Sequence, residues 1–185
     1  HAAIVAGGGW LSFADYMNLA LYAPALGYYV AGAAKLGESG DFVTAPEISR
    51  HFGHALARQV AQVLADTRGN VLELGAGTGR LALDILETLR RAGHVPDRYF
   101  ILELSADLRA RQMEHIAHEA PEWLSRVTWL DNLPNHFDGI ILANEVLDAL
   151  PVHLIVWHAH GPLERGVTLR DGQLAWCDRP LSEGR

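Results

Sequence analysis

VLELGAGTG, residues 71–79, runs from a strand pattern through three alternating glycines into a helical pattern. Val71, Leu72 and Leu74 have the apolar character of a short buried strand, and Glu73 sits near its end. Gly75, Gly77 and Gly79 follow at every second position, and Leu81, Leu83, Ile85, Leu86 and Leu89 continue as a helix. Glycines between a strand and a helix let the backbone approach a ligand closely at the helix N-terminus, where unpaired N–H groups gather. The spacing separates ligand classes. A dinucleotide fingerprint, G-x-G-x-x-G, would place its third glycine at position 80, which is Arg80. The run is instead E-x-G-x-G-x-G.

That run resembles motif I of methyltransferases that use S-adenosylmethionine (SAM). Another nucleotide-binding α/β domain and a purely structural glycine turn remain open readings of the same nine residues.

The chain has 185 residues, a length that suits one domain or a large part of one. With 49% apolar residues it can bury a sizeable core. A net charge of −7 argues against a nucleic-acid partner with a broad contact surface. The basic clusters Arg90–Arg91 and Arg109/Arg111 then read as solvated helix faces. No apolar run approaches the roughly 20 residues of a membrane span. No signal peptide is visible, and His1 is not a natural start, so an upstream segment is allowed for. The single cysteine, Cys177, excludes an intramolecular disulfide, fits a reducing compartment and lacks a nearby histidine motif that would make it a nucleophile. The histidine pairs 51/54, 115/118 and 158/160 match no metal-ligand signature, so no metal site is expected. Neither G-x-S-x-G nor a Walker-type loop occurs.

Around the central motif the order of elements is readable. Ser12 can cap a helix through Tyr22, which Pro24 and Gly27 stop. Residues 27–43 read as a structured glycine-rich loop. Thr44-Ala45-Pro46-Glu47 has the form of a capping box, and Ile48, Phe52, Leu56, Val60 and Val63 extend one helix to about Ala65. From position 70 strands at 71–75, 98–103, 126–131, 137–143 and 152–158 alternate with helices at 79–92 and 105–118. The third and fourth strands are joined too closely for a helix. Asp171-Gly172 predicts a hairpin between 163–169 and 173–178. The expected fold is α/β, a doubly wound, mostly parallel sheet over 70–185, with a helical and loop extension over 1–69.

Ligands of open α/β sheets bind beyond the carboxyl ends of strands where strand order reverses. In a methyltransferase-type order that point lies between the first and fourth strands, which carry ELGAGTG (73–79) and NEVLDALP (144–151). Glu103, ending the second strand, can accept two ribose hydroxyls; the plainer reading is a carboxylate facing a helix N-terminus. Asp131 or Asn132 can receive an adenine amino group, or serve as ordinary turn residues. Glu73 can engage the cationic amino end of SAM, directly or through water. Glu145 and Asp148 share a face if their segment is helical, where they can hold a guanidinium or cap the next helix. Asn144 can orient a nucleophile.

On these residues the chain resembles the MidA-like SAM-dependent methyltransferases, from about Trp10 to Cys177. The matching segments are FADYMNLALYAPALGYY (13–29), GDFVTAPEIS (40–49), ELGAGTG (73–79) and NEVLDALPVH (144–153). That family includes the mitochondrial protein-arginine methyltransferase that assists respiratory complex I assembly. The resemblance implies a Rossmann-like SAM domain with an N-terminal extension over the active site. It implies that Asp41, Thr44, Pro46, Glu47 and Ser49 border the cofactor or substrate crevice. Members run well past the equivalent of Arg185, so the chain is expected to be truncated at its C-terminus.

The function implied is SAM-dependent methyl transfer to a protein, with arginine the favoured acceptor. The expected compartment is the cytoplasm for a bacterial protein and the mitochondrial matrix for a eukaryotic one. A non-catalytic SAM-binding assembly factor and a small-molecule methyltransferase are the alternatives.

Overall fold

The computed structural model describes residues 1–30, 43–67 and 69–181. In chain order its elements are α1 (Ala2–Ala6), β1 (Leu11–Ser12), α2 (Phe13–Tyr22), α3 (Ala45–Ile48), α4 (Arg50–Thr67), β2 (Asn70–Leu74), α5 (Arg80–Ala92), β3 (Tyr99–Leu102), α6 (Ala106–Glu119), β4 (Val127–Leu130), β5 (Gly139–Ala143), β6 (Leu154–His158), β7 (Gly161–Arg170) and β8 (Gln173–Pro180). They fall into two compact units, one of residues 32–148 and one of residues 1–31 with 149–185.

The first unit holds a four-stranded parallel sheet in the order β4-β3-β2-β5. β2 therefore has β3 on one side and β5 on the other, the reversal expected between the first and fourth strands. β2 is central, and Val71, Leu72 and Glu73 are all buried. Gly139 starts β5 at φ +136, where a Cβ would stand 1.9 Å from the Asn70 carbonyl oxygen, so the pairing requires glycine. No helix joins β4 to β5, as their short separation predicts.

α5 buries Leu81, Leu83, Ile85, Leu86 and Leu89, and Gly93 closes it in the left-handed conformation. α4 lies against it through Gly53, Ala57, Val60 and Leu64, spaced at three or four residues. At Gly53 a Cβ would come within 2.6 Å of the Asp84 Cβ, so the helices approach closely there. Asp84 is itself buried, with Arg80 Nε at 3.4 Å and Arg50 Nε at 3.9 Å.

The expected single helix from Thr44 to Ala65 is broken. Ser49 is extended (φ −158°, ψ 133°), and its hydroxyl accepts from the His51 N–H at 3.2 Å to start α4 afresh. The expected capping box is also absent. Thr44 makes no side-chain cap bond, and Glu47 accepts instead from the Thr78 hydroxyl. Pro46 sits in the first turn of α3, as expected.

The second unit is an antiparallel sheet. β6 and β1 follow one another along one edge of β7, at Gly161–Arg165 and Gly166–Val167, while β8 runs along the other edge. Asp171 (φ 51°) and Gly172 (φ 76°) make the hairpin turn, both left-handed as a type I′ turn requires. Ser12 caps α2 by accepting from the Asp15 N–H at 3.0 Å. The strand at 152–158 does not extend the parallel sheet, as the sequence order suggests. It pairs antiparallel with β7, because its long-range partner lies in the following hairpin. The two units do not divide at residue 69. α3 and α4 go with the parallel sheet, and residues 149–185 go with the N-terminal segment through β1 and β7.

Candidate cofactor-binding site

The glycine loop leaves the carboxyl end of β2 at the point of reversal. Gly75, Gly77 and Gly79 all have positive φ, at 62°, 55° and 83°. Three left-handed turns within five residues are open only to glycine at low cost, which is why the sequence alternates as it does. A Cβ at Gly75 would lie 3.3 Å from Val146 Cγ2. Val146 belongs to the loop after β5, so the two sequence motifs do meet. Strand register agrees: Leu74 pairs with both Leu102 and Ala143, which brings Gly75, Glu103 and Asn144 to one level.

Glu103 follows β3 and is 9% exposed. Its Oε1 accepts from the Ser105 N–H at 3.0 Å and its Oε2 from Gln112 Nε2 at 3.1 Å. Burial raises its pKa, opposed by those donors and by Arg109. A carboxylate has about four lone-pair sites. The Ser105 and Leu104 N–H groups and the Gln112 amide engage three of these, which leaves capacity for a further donor such as a ribose hydroxyl. The glycine cradle beside it is the other half of the fit to such a ligand.

Glu73 is 2% exposed, and its Oε2 accepts from the Tyr99 hydroxyl at 2.7 Å. Burial pushes its pKa up to about 7, the Tyr99 bond opposes the rise, and the Glu103 charge adds to it. The carboxylate expected to engage an amino group, directly or through water, is thus buried with one oxygen taken by Tyr99. Asp131 lies one position past β4, level with Glu103, but it is exposed and ion-paired with Arg109 Nη1 at 2.6 Å. Asn132 is exposed beside it.

Glu145 and Asp148 do not share a helical face. Glu145 is left-handed (φ 53°), and only Leu147–Ala149 makes a short 3-10 turn. Both are exposed and Asn144 is half-buried. Among the described residues these three side chains have no hydrogen-bond partner. Thr44, Pro46, Glu47 and Ser49 lie on or beside α3, with Glu47 joined to the glycine loop through Thr78. Asp41 lies outside the described residues.

Sequence reasoning misses Gln112. It is fully buried, and its Nε2 donates to the Gly77 carbonyl at 2.9 Å as well as to Glu103. His115, one turn on, bonds through Nδ1 to the Thr78 carbonyl at 3.0 Å. The available signal is the four-residue spacing of Leu108, Gln112 and Ile116, which puts an amide on the inward stripe of α6.

A family model described as "Putative S-adenosyl-L-methionine-dependent methyltransferase" matches residues 55–185. The chain belongs to that family. Among curated relatives, protein arginine methyltransferase NDUFAF7, mitochondrial, of Mus musculus is 34% identical over 172 residues, covering 78% of this chain and 39% of the relative. The Homo sapiens protein of that name is 33% identical over 172 residues, covering 78% and 38%. A crystal structure of a COG1565 superfamily member from Burkholderia thailandensis, bound to S-adenosyl-homocysteine, is 47% identical with a TM-score of 0.91. The match covers 99% of this chain and 49% of that one. The Rossmann-like methyltransferase fold expected from the glycine run is therefore the fold of this family member. The chain spans about two fifths of the curated relatives it matches. Among the described residues, no helix is long and apolar enough to cross a membrane.

Proposed function

We propose that this chain forms the cofactor-binding part of a methyltransferase that moves the methyl group of SAM to a protein, with an arginine side chain as the favoured acceptor. One observation carries the reading. A glycine loop with three positive φ values stands at the reversal point of a parallel sheet, beside a carboxylate with unused acceptor capacity. The bound S-adenosyl-homocysteine of the Burkholderia neighbour and the names of the NDUFAF7 relatives support it.

In this reading Gly75, Gly77 and Gly79 give the cofactor its close backbone approach. Glu103 accepts from the ribose hydroxyls, and Asp131 or Asn132 lies nearest the base. Glu73, buried against Tyr99, is assigned to the cationic amino end of SAM, directly or through water. Bound SAM supplies an electrophilic methyl group, so the S–C bond breaks as the new N–C bond forms and S-adenosyl-homocysteine leaves. The remaining work is alignment of the nucleophile. A protonated guanidinium has no free lone pair, so an acceptor arginine must give up a proton as it is attacked. Glu145 and Asp148 are assigned to hold the guanidinium and take that proton, with Asn144 orienting it. Asp41, Thr44, Pro46, Glu47 and Ser49 are assigned to the border of the crevice.

Titration of the full chain with S-adenosyl-homocysteine, followed by mass spectrometry of proteins methylated with labelled SAM, tests this. Saturable binding and methylarginine in a partner are expected. Binding with methylation only of a small molecule would remove the protein acceptor, and no binding by folded protein would remove the cofactor.

A further inference from the structure

Gln112 touches both the glycine loop and Glu103, the carboxylate assigned to the ribose. Its amide orientation is fixed by chemistry. Trp129 Nε1 is a donor only, and it lies 2.9 Å from Gln112 Oε1. The opposite atom is then Nε2, which faces the Gly77 carbonyl and Glu103 Oε2, both acceptors. Every polar atom of this fully buried amide is used. His115 grips the next carbonyl, that of Thr78, from the same face of α6. A trans peptide points its N–H opposite to its carbonyl. The N–H groups of Thr78 and Gly79 therefore turn away from α6, and that of Gly79 closes onto the Ala76 carbonyl at 2.8 Å.

We propose that Gln112 is a positioning residue for the cofactor, coupling the glycine loop to Glu103 so that both present one fixed geometry to the nucleoside. This rests on reading the loop and Glu103 as cofactor groups. Loss of the amide frees Glu103 to rotate and lets the Gly77 peptide turn, so the ribose contact suffers more than the rest.

The test is calorimetric titration of the full chain with S-adenosyl-homocysteine and with its 2′-deoxy analogue. The parent should prefer the hydroxylated ligand by about fivefold or more, on the scale of a hydrogen bond to a charged group. Gln112→Leu should bind S-adenosyl-homocysteine roughly tenfold more weakly and narrow that preference below about twofold, the non-additivity of coupled groups. Trp129→Phe keeps the ring and removes only the donor that orients the amide. It should move both quantities in the same direction by less, and it serves as the decisive variant if Gln112→Leu does not fold. A folded variant that keeps the parental preference, with affinities unchanged or lowered equally for both ligands, overturns the proposal. A folded parent that binds neither ligand overturns the cofactor reading beneath it.

Discussion

The hydroxyl of Tyr99 donates to Glu73 Oε2 at 2.7 Å across adjacent parallel strands, with both side chains sealed from solvent. Burial raises the pKa of both groups, and for Glu73 the value reaches about 7 against an ordinary 4.5. A raised folded-state pKa means that the stability linked to this site is fully present below pH 4.5. It is lost as pH rises through about 7.

Glu73→Gln keeps the shape and can still accept from Tyr99, but it does not titrate. Its stability relative to the parent should rise between pH 4.5 and 8 and then level off. The linkage scale is on the order of 3 kcal/mol at most. Denaturant melts at several pH values measure it, and a constant difference across that range would mean that Glu73 is not the buried titrating group.

Glu103→Ala removes the acceptor assigned to the ribose. Affinity for S-adenosyl-homocysteine should fall by about 1–3 kcal/mol, and the preference over the 2′-deoxy analogue should vanish. Retained preference would assign the ribose to another residue.

Glu145 holds a left-handed conformation that costs a non-glycine residue about 1 kcal/mol or more, a strain that collects at functional sites. Glu145→Gly should therefore stabilise the protein by about 1 kcal/mol while methyl transfer is lost. Glu145→Gln should lower turnover with cofactor affinity held within about threefold, under about 0.7 kcal/mol. Full turnover in both variants and in Asp148→Asn would leave these carboxylates no part in acceptor handling.

Local chemistry made much of this fold readable. The alternating glycines of 75–79, the Ser12 cap and the Asp171-Gly172 turn each depend on residues within a few positions, and each forms as the sequence suggests. Features set by distant partners do not read out. An apolar run at 154–157 marks a strand but not its sheet, which is decided by pairing with 161–165. Thr44 and Glu47 have the form of a cap, yet Thr78, far along the chain, captures Glu47. Gln112 looks like a surface residue of a polar helix until its place on the buried stripe is counted. The pairing of Glu145 with Asp148 assumed a helix that the left-handed Glu145 interrupts.

The central claim is that the loop at Gly75–Gly79 holds the cofactor, and Gly77→Val tests it most directly. Valine at φ 55° would force the peptide out of its left-handed conformation and put a branched side chain where the backbone meets the ligand. Calorimetry with S-adenosyl-homocysteine should show one saturable site in the parent and no measurable binding in a variant that still melts cooperatively. Unchanged affinity in that variant would contradict the account.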